Sequence, residues 1–302
     1  MTERPFRSAI VGASGYIGQQ FARLLATHPA FGEPALIASD RSVGRRLGDV
    51  WALDEPVPQS LAHCRLRAAT PRTLAGEGIE LVFSALPGGR AGPIESELSR
   101  RGVAVFSNAA DHRRDPGVPL LVPEVNPDHL RLLDHRPAGH APIVTNPNCT
   151  ATGLAVALAP VWEPLRPIAV HVSTYQARSG AGLTGLESPA LAENVVPFIE
   201  GEEEKVAWET STLLGLRRSR RVVRPKPPIV VQAARVDVRD GHLEAVTVVA
   251  EGRPSRGRLL TQWRSFDPLA RLPLPTAPHP PVVVRPEEDR PQPKVDVWSG
   301  AP

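Results

Sequence analysis

Cysteine is scarce in this 302-residue chain, and its scarcity excludes two kinds of structural site. The only two cysteines, Cys64 and Cys149, are too few for a disulfide framework and lack the CxxC spacing of a zinc site. Any cysteine chemistry is therefore expected to be that of a free thiol, and no metal site is predicted.

The chain also has little excess of charge of either sign, because the net charge is only +3 at pH 7. A protein whose main task is to neutralise the phosphates of a nucleic acid needs a larger positive excess. The one local exception is the basic run Arg217–Arg221, which predicts a solvated loop, with a nucleic-acid contact as the alternative. We expect no nucleic-acid partner.

Long apolar runs are absent as well. No stretch reaches the ~20 apolar residues that span a bilayer, and the segment from Met1 to Arg7 lacks the apolar core of a signal peptide. The sequence therefore predicts a cytoplasmic protein without a membrane partner.

Short apolar runs and amphipathic stretches alternate along the first half of the chain. Strands are predicted at Ser8–Val11, Pro34–Ser39, Ile79–Leu86, Val103–Ser107 and Ile143–Thr145, with helices at Tyr16–His28 and Pro93–Arg101. This order predicts an α/β fold with a Rossmann-type, doubly wound parallel sheet.

The pattern changes near residue 149. A helix is predicted at Thr150–Val161, followed by longer strands at Ile168–Ala177, Ile229–Val238 and His242–Glu251, which indicate a second α+β domain with a mixed or antiparallel sheet. The Asp-Gly pair before His242 predicts that the last two strands form a hairpin. Ten prolines from Pro268 onward predict an extended, non-helical tail.

A glycine-rich turn, Gly12-Ala13-Ser14-Gly15-Tyr16-Ile17-Gly18, follows the first predicted strand and opens a helix. Such glycines let the backbone approach a dinucleotide pyrophosphate at a helix N-terminus, although any tight strand-to-helix turn gives a similar pattern. The second strand ends in Ser39-Asp40-Arg41-Ser42, where the adenosine ribose is read in folds of this kind. Arg41 and Ser42 favour the 2′-phosphate of NADP, whereas Asp40 suits the free hydroxyl of NAD.

Two further segments carry residues suited to thiol chemistry. Cys149 ends a strand and begins a helix, where unsatisfied N–H groups and the helix dipole stabilise a thiolate; the alternative is a small buried hydrophobe. Arg235 and His242 stand on either side of a turn, where a guanidinium can bind a carboxylate and an imidazole can move protons.

Five segments together resemble the aspartate-semialdehyde dehydrogenases of the archaeal and fungal-like branch. The similarity runs in order from about Ser8 to Lys294. The segments are Asn146–Thr150, Ser173–Gly182, Val122–Pro127, Gly201–Lys205 and Arg235–His242. The resemblance implies an NADP-binding domain over 1–149 and a catalytic and dimerisation domain over 150–302, in a homodimer or homotetramer.

The resemblance also implies roles for individual residues. Cys149 would be the nucleophile, Gln176 would orient the thioester and His242 would be the general acid/base. Arg235 would bind the substrate α-carboxylate and Glu202 the α-amino group. The phosphate would be held by Arg113, Asn148 and Lys205. The implied NADP contacts are Gly12, Ser14, Gly15, Tyr16, Ile17, Gly18, Ser39, Arg41, Ser42, Ser84, Ala85 and Pro87.

The implied reaction is NADPH-dependent reduction of β-aspartyl phosphate to aspartate semialdehyde and phosphate through a cysteine thioester, a step of lysine, threonine and methionine biosynthesis. The alternatives are a paralogue that reduces N-acetylglutamyl phosphate or malonyl-CoA by the same route, and a catalytically impaired relative.

Two departures from the family pattern stand out. Ala233-Ala234 and Asp237 flank Arg235 where the family has other residues, which is expected to retune the substrate pocket. In addition, family members continue into a glycine-rich strand and a long helix after the segment resembling Glu287–Pro293. From the end of the sequence at Pro302 we expect weaker NADP binding and reduced turnover.

Overall fold

Five short, largely buried strands form a parallel sheet in the first part of the chain. The computed structural model describes residues 4–300; residues 1–3 and 301–302, which belong to the N- and C-terminal segments considered above, lie outside the described part. The strands are β1 (Ser8–Val11), β2 (Ala35–Ile37), β3 (Leu81–Ser84), β4 (Ala104–Ser107) and β5 (Ile143–Thr145). The connecting helices are α1 (Tyr16–Leu25), α2 (Gln59–Ala62), α3 (Pro71–Gly76) and α4 (Ala91–Arg100).

The sheet order is β2-β1-β3-β4-β5, and all neighbouring pairs are parallel. An isolated parallel bridge between Arg67 and Ile37 continues the sheet beyond β2. With Arg67 counted as a vestigial strand, the order becomes the 3-2-1-4-5-6 arrangement of a Rossmann sheet. This confirms the predicted parallel, doubly wound sheet.

Alternating side chains of β1 show why both faces of this sheet are covered. Ala9 and Val11 belong to one apolar cluster with Leu74 and Leu98, while Ile10 belongs to a second cluster with Ala22. A strand with both faces in a core needs a continuous apolar run, which Ser8–Val11 supplies.

The second part of the chain contains a four-stranded mixed sheet. Its elements are α5 (Cys149–Leu165), β6 (Pro167–Gln176), α6 (Gly182–Leu186), β7 (Val195–Val196), α7 (Glu202–Leu213), β8 (Leu216–Arg218), β9 (Arg221–Val223), β10 (Ile229–Val236), β11 (Leu243–Ala250), α8 (Arg256–Arg264) and α9 (Pro293–Asp296). The sheet order is β11-β6-β10-β7. Helices α5 and α7 cover one face through a cluster that includes Leu154, Val172, Val206 and Val231.

The predicted hairpin between the last two long strands is wrong. β10 pairs in parallel with β6, and β11 pairs antiparallel with the opposite edge of β6, so β6 lies between them. Asp240-Gly241 does turn the chain, and Gly241 has a φ of +86°. The segment between β10 and β11 is nevertheless long enough to cross the end of β6, because strands are spaced only ~4.8 Å apart.

Two other predictions need correction. The basic run Arg217–Arg221 is a hairpin of β8 and β9 that turns at Ser219, although its side chains are mostly exposed as expected. The proline-rich tail is irregular except for α9, which begins at Pro293 because proline suits the first turn of a helix.

Clustering of the described residues gives two compact units. One contains the chain up to Leu120 together with Leu130–Asn146, and the other contains Leu121–His129 and the chain from Pro147 on. The functional division into 1–149 and 150–302 stays a prediction. Within residues 4–300, no helix combines the length and apolar character needed to cross a membrane.

Candidate active site

Cys149 is the first residue of α5, one residue before the predicted start of that helix. Asn148 is the N-cap, and its Oδ1 accepts hydrogen bonds from the backbone N–H groups of Thr150 at 2.9 Å and Ala151 at 3.2 Å. The sequence forms a helix here because the asparagine satisfies two donors that have no partner inside the helix. The thiol is thereby fixed at the positive end of a 17-residue helix.

His242 faces this thiol. Its Nε2 lies 3.0 Å from Cys149 Sγ, while the backbone N–H of Ala177 donates to its Nδ1 at 3.0 Å. A backbone N–H can only donate, so Nδ1 must be the unprotonated ring nitrogen. The neutral imidazole therefore carries its proton on Nε2 and directs it at the sulfur.

The surroundings shift the pKa of both groups. The Cys149 side chain is exposed at the surface, yet the protein packed around it raises the pKa of the thiol, and the charge of Glu202 adds to the rise. The N–H groups of Thr150 and Cys149 lower that pKa as the helix position predicts, and so does Arg235, but burial outweighs them. Burial also lowers the pKa of His242, and Arg235 lowers it further.

Glu202 connects the polar side chains of the site. Its Oε1 accepts from Asn148 Nδ2 at 2.8 Å and from Gln176 Nε2 at 2.9 Å, and its Oε2 accepts from Lys205 Nζ at 3.3 Å. Burial alone would raise the pKa of this carboxyl group, but the bonds from Gln176, Asn148 and Lys205 lower it overall. Glu202 is therefore a buried carboxylate that holds three of the predicted site residues together.

Arg235 is positioned by the sheet. It pairs in register with Gln176 at the end of β6, and its Nη1 donates to the carbonyl oxygen of Ala177 at 2.9 Å. The side chain is buried and forms no ion pair with any residue between 4 and 300. A buried guanidinium without a carboxylate partner is suited to an anionic ligand.

Sequence reasoning missed two residues of this site, Glu209 and Gly180. Glu209 is buried on α7 and accepts the backbone N–H of Asn148. Gly180 lies so close to the Arg235 side chain that an added Cβ would be 2.4 Å from Arg235 Nη1. Asp237, which the sequence had singled out, accepts from Arg178 Nε at 2.7 Å and from the backbone N–H of Glu193 at 2.8 Å.

A signal existed for only one of these two missed residues. Glu202 and Glu209 are seven residues apart, a spacing that places two side chains on one face of a helix such as α7. No such spacing indicates that Gly180 reaches the site, because its contacts depend on how the segment after β6 folds back.

The first unit carries the predicted cofactor residues. Gly12 has a φ of +89°, and a Cβ on it would lie 2.7 Å from the carbonyl oxygen of Ala85, which follows β3. A Cβ on Gly18 would lie 2.1 Å from the carbonyl oxygen of Gly12, so both positions require glycine. Gly15 is the N-cap residue of α1, and as a glycine it provides no side-chain hydrogen bond there. Ser14, Tyr16 and Ile17 complete the turn.

The remaining predicted residues of the first unit lie at strand ends or beyond them. Ser39, Arg41 and Ser42 form a turn after β2, in which the N–H of Ser42 donates to the carbonyl oxygen of Ser39 at 2.9 Å. Ser84 ends β3, with Ala85 and Pro87 after it. Arg113 donates from Nη2 to the carbonyl oxygen of Asn108 at 2.9 Å. Their roles in binding remain proposals.

Comparison with known proteins decides the family. The model of the semialdehyde dehydrogenase NAD-binding domain matches residues 7–133, and that of the semialdehyde dehydrogenase dimerisation domain matches residues 158–301. The aspartate-semialdehyde dehydrogenase of Archaeoglobus fulgidus is 38% identical over 296 residues, covering 96% of this chain and 84% of the relative. The chain belongs to the aspartate-semialdehyde dehydrogenase family.

Aspartate-semialdehyde dehydrogenases are also found among the solved structures that resemble this one. The enzyme of Candida albicans, crystallised with NADP, superposes with a TM-score of 0.85 at 32% identity over 97% of this chain and 86% of that one. A malonyl-CoA reductase (NADP) of Metallosphaera sedula is 33% identical over 99% of this chain and 85% of its own length. The family thus includes a second acyl substrate class.

Proposed function

We propose that this protein is an NADP-dependent aspartate-semialdehyde dehydrogenase that reduces β-aspartyl phosphate to aspartate semialdehyde and phosphate. The observation that carries the proposal is the 3.0 Å contact between Cys149 Sγ and His242 Nε2. It supplies a nucleophile and a donor directed at the nucleophile. The relatives named above support the substrate and the cofactor.

Charges of both signs beside the thiol support an amino-acid substrate. Arg235, buried and without an ion-pair partner, would bind the α-carboxylate, and Glu202 would bind the α-amino group. Asn148, Lys205 and Arg113 would hold the phosphate. An amine-free acyl group has no use for the carboxylate, so Glu202 favours aspartyl phosphate over malonyl-CoA.

The first unit fits a dinucleotide. Two obligatory glycines surround the start of α1, whose cap residue Gly15 makes no side-chain bond, which leaves helix N–H groups for a pyrophosphate. Arg41 is exposed and forms no ion pair with residues 4–300, so its guanidinium would take the 2′-phosphate of NADP. When bound, NADPH supplies the hydride that reduces the thioester.

The protein groups divide the reaction into two steps. The Cys149 thiolate attacks the acyl carbonyl carbon, the bond to phosphate breaks, and a thioester forms with phosphate as the leaving group. After reduction the carbon–sulfur bond breaks, which releases the aldehyde and restores the thiolate. His242 Nε2–H donates to the thiolate and to the oxyanions, and Gln176 would orient the thioester carbonyl.

The open face of the mixed sheet supports a dimer. Tyr175, Val230 and Val249 project from β6, β10 and β11 on the side away from α5 and α7, and they are 42%, 52% and 46% exposed. Apolar side chains aligned on one sheet face indicate a self-association surface. We propose that two copies pair through this face, that a tetramer of such dimers is the alternative, and that the protein is cytoplasmic.

A direct spectrophotometric assay tests the proposed function. Purified protein is given aspartate semialdehyde, phosphate and either NADP or NAD, and reduced cofactor is followed by absorbance, with Cys149→Ser as the inactive control. We expect phosphate-dependent turnover that prefers NADP. Parallel reactions with N-acetylglutamate semialdehyde and with malonyl-CoA plus NADPH identify a paralogue, and higher kcat/KM in either would overturn the proposal.

A further inference from the structure

Asp237 is one of the residues that depart from the family pattern beside Arg235. Its Oδ1 accepts from Arg178 Nε at 2.7 Å, and its Oδ2 accepts from the backbone N–H of Glu193 at 2.8 Å. The N–H of Glu193, and after it the Arg178 guanidinium, lower the pKa of the Asp237 carboxyl group, which is therefore an anion at neutral pH. The first contact is thus an ion pair that joins the chain just beyond β6 to the chain just beyond β10.

Arg178 extends this ion pair into a network. Its Nη1 donates to the carbonyl oxygens of Leu186 and Ser188, each at 3.3 Å, and its backbone N–H donates to the carbonyl oxygen of Val238 at 2.7 Å. The side chain of Arg178 is only 17% exposed, and that of Asp237 is 38% exposed. An isolated surface ion pair contributes little to stability, whereas one anchored in such a network holds in place the segments that it joins.

Ala177, which precedes Arg178, holds two functional side chains of the site through its backbone. Its N–H donates to Nδ1 of His242 at 3.0 Å, and its carbonyl oxygen accepts from Nη1 of Arg235 at 2.9 Å. The carbonyl group of Ala177 and the N–H of Arg178 belong to one planar peptide unit, which moves as a rigid body. A displacement of Arg178 is therefore transmitted to the contacts of Ala177 with the imidazole and the guanidinium.

We propose that the Arg178–Asp237 ion pair is a positioning device, which fixes the backbone of Ala177 and thereby the tautomer of His242 and the orientation of Arg235. Both members of the pair act through Ala177. The effect on His242 follows from the contacts alone, whereas the effect on turnover rests on the proposed function. The departure from the family pattern at Asp237 thus retunes the site through the backbone.

The first test measures the tautomer of His242 without substrate. The two ring nitrogens are observed by nitrogen NMR at pH 8, where the ring is neutral, and His242→Asn provides the assignment. In the wild type, Nδ1 should show the shift of an unprotonated nitrogen and Nε2 that of a protonated one. In Asp237→Asn and in Arg178→Met the Ala177 N–H is no longer held against Nδ1. The two shifts should then converge by about a tenth of their separation or more.

A merely structural role for the ion pair would lower the melting temperature and leave the tautomer of the folded protein unchanged. Convergence of the shifts in both variants supports the proposal, and unchanged shifts in either variant overturn it. Glu97→Gln, which breaks an ion pair with Arg100 of 2.8 Å on α4, is the matched control and should keep the wild-type shifts. If Arg178→Met is insoluble, Arg178→Lys takes its place, since Lys cannot reproduce the guanidinium fork.

Steady-state kinetics of semialdehyde oxidation provide the second test. Asp237→Asn should lower kcat, because His242 is displaced, and raise KM, because Arg235 is displaced. We expect kcat/KM to fall about fivefold or more in Asp237→Asn and in Arg178→Met, and a smaller loss beside normal wild-type turnover would overturn the proposal. Since the two residues act as a pair, the double variant should lose no more than about twofold beyond the more affected single variant. A greater additional loss would show that they act separately and would also overturn it.

The NMR measurement requires no substrate, so its result is independent of the proposed function. Absence of turnover in the wild type, together with converging shifts in the two variants, would overturn the function and leave the positioning role of the Arg178–Asp237 pair supported.

Discussion

The backbone N–H of Ala177 donates to Nδ1 of His242 at 3.0 Å, on the side of the ring opposite Cys149. A protonated ring would place two N–H groups against each other there, so the contact favours the neutral imidazole. Burial lowers the pKa of His242, and Arg235 adds to that effect. His242 is thus a neutral donor whose proton is directed at the sulfur.

The first prediction concerns the pKa of His242. His242 should titrate below ~6.5, the ordinary value for histidine. Since the folded pKa is below the unfolded one, the stability that neutral His242 contributes is present above ~6.5 and lost as pH falls through the folded pKa. Proton NMR of the ring, assigned with His242→Asn, measures it. A midpoint at or above 6.5 would contradict this arrangement.

The second prediction concerns the two thiols. The Sγ atom of Cys64 lies 3.0 Å from Glu33 Oε1. Burial, and to a smaller extent the Glu33 carboxyl group, raises the pKa of the Cys64 thiol to about 11. Burial raises the pKa of Cys149 as well, but this thiol is exposed and has helix N–H groups and an imidazole donor beside it. Iodoacetamide at pH 8 should label Cys149 at least tenfold faster, as measured by mass spectrometry. Equal labelling would argue against an activated Cys149.

Substitution of the same thiols extends the test to activity. Cys149→Ser should abolish turnover while leaving the circular dichroism spectrum unchanged, because a hydroxyl group is not ionised near neutral pH. Cys64→Ser is the control and should keep kcat within twofold. Residual turnover above about 1% in Cys149→Ser would assign the nucleophile to another group.

A third prediction uses Gly180→Ala. The added Cβ would lie 2.4 Å from Arg235 Nη1 and 3.1 Å from His242 Cε1, so both side chains must shift. Displacement by about 1 Å at a catalytic group can cost ~100-fold in rate, and we expect kcat/KM to fall at least tenfold. Gly257→Ala in α8, where an added Cβ would meet only Ser255 Oγ at 4.0 Å, is the control. Equal activity of the two variants would show that Gly180 has room.

The fourth prediction concerns Arg235→Lys. An ammonium group cannot both keep the bond to the Ala177 carbonyl oxygen and present a planar fork to a carboxylate. We expect a loss of more than tenfold in kcat/KM, with Arg258→Lys on exposed α8 as the control. A change below about threefold, under ~0.7 kcal/mol, would remove Arg235 from substrate binding.

Local sequence patterns predicted the first sheet closely and the order of the second sheet poorly. The bounds of β1 and β5 match the predicted residues, because each is a short apolar run between turn residues. Asp240-Gly241 was misleading: a turn signal specifies a reversal of the chain but not which strand edge is free to pair. β6 occupies one edge of β10, and this pairing joins residues too far apart in sequence to be predicted from the turn.

The pKa of Cys149 shows a similar limit to prediction from local sequence. A cysteine at a helix start predicts a lowered pKa, and the helix N–H groups do act in that direction. The opposing effect of burial and of Glu202 depends on how α5, α7 and the sheet pack, which no local motif of the chain contains. For the same reason Gly180 was recognisable only once the structure placed it beside Arg235.

The central position of β6 has a consequence for how the protein is made. Val170 pairs with Ile229 on one side and with Val248 on the other, so both contacts join parts of the chain far apart in sequence. Such pairings form late, because a long loop must close before they stabilise anything. A chain emerging from the ribosome presents Cys149 well before the imidazole that faces it. The thiol therefore meets its imidazole partner only after β11 has been synthesised and has docked.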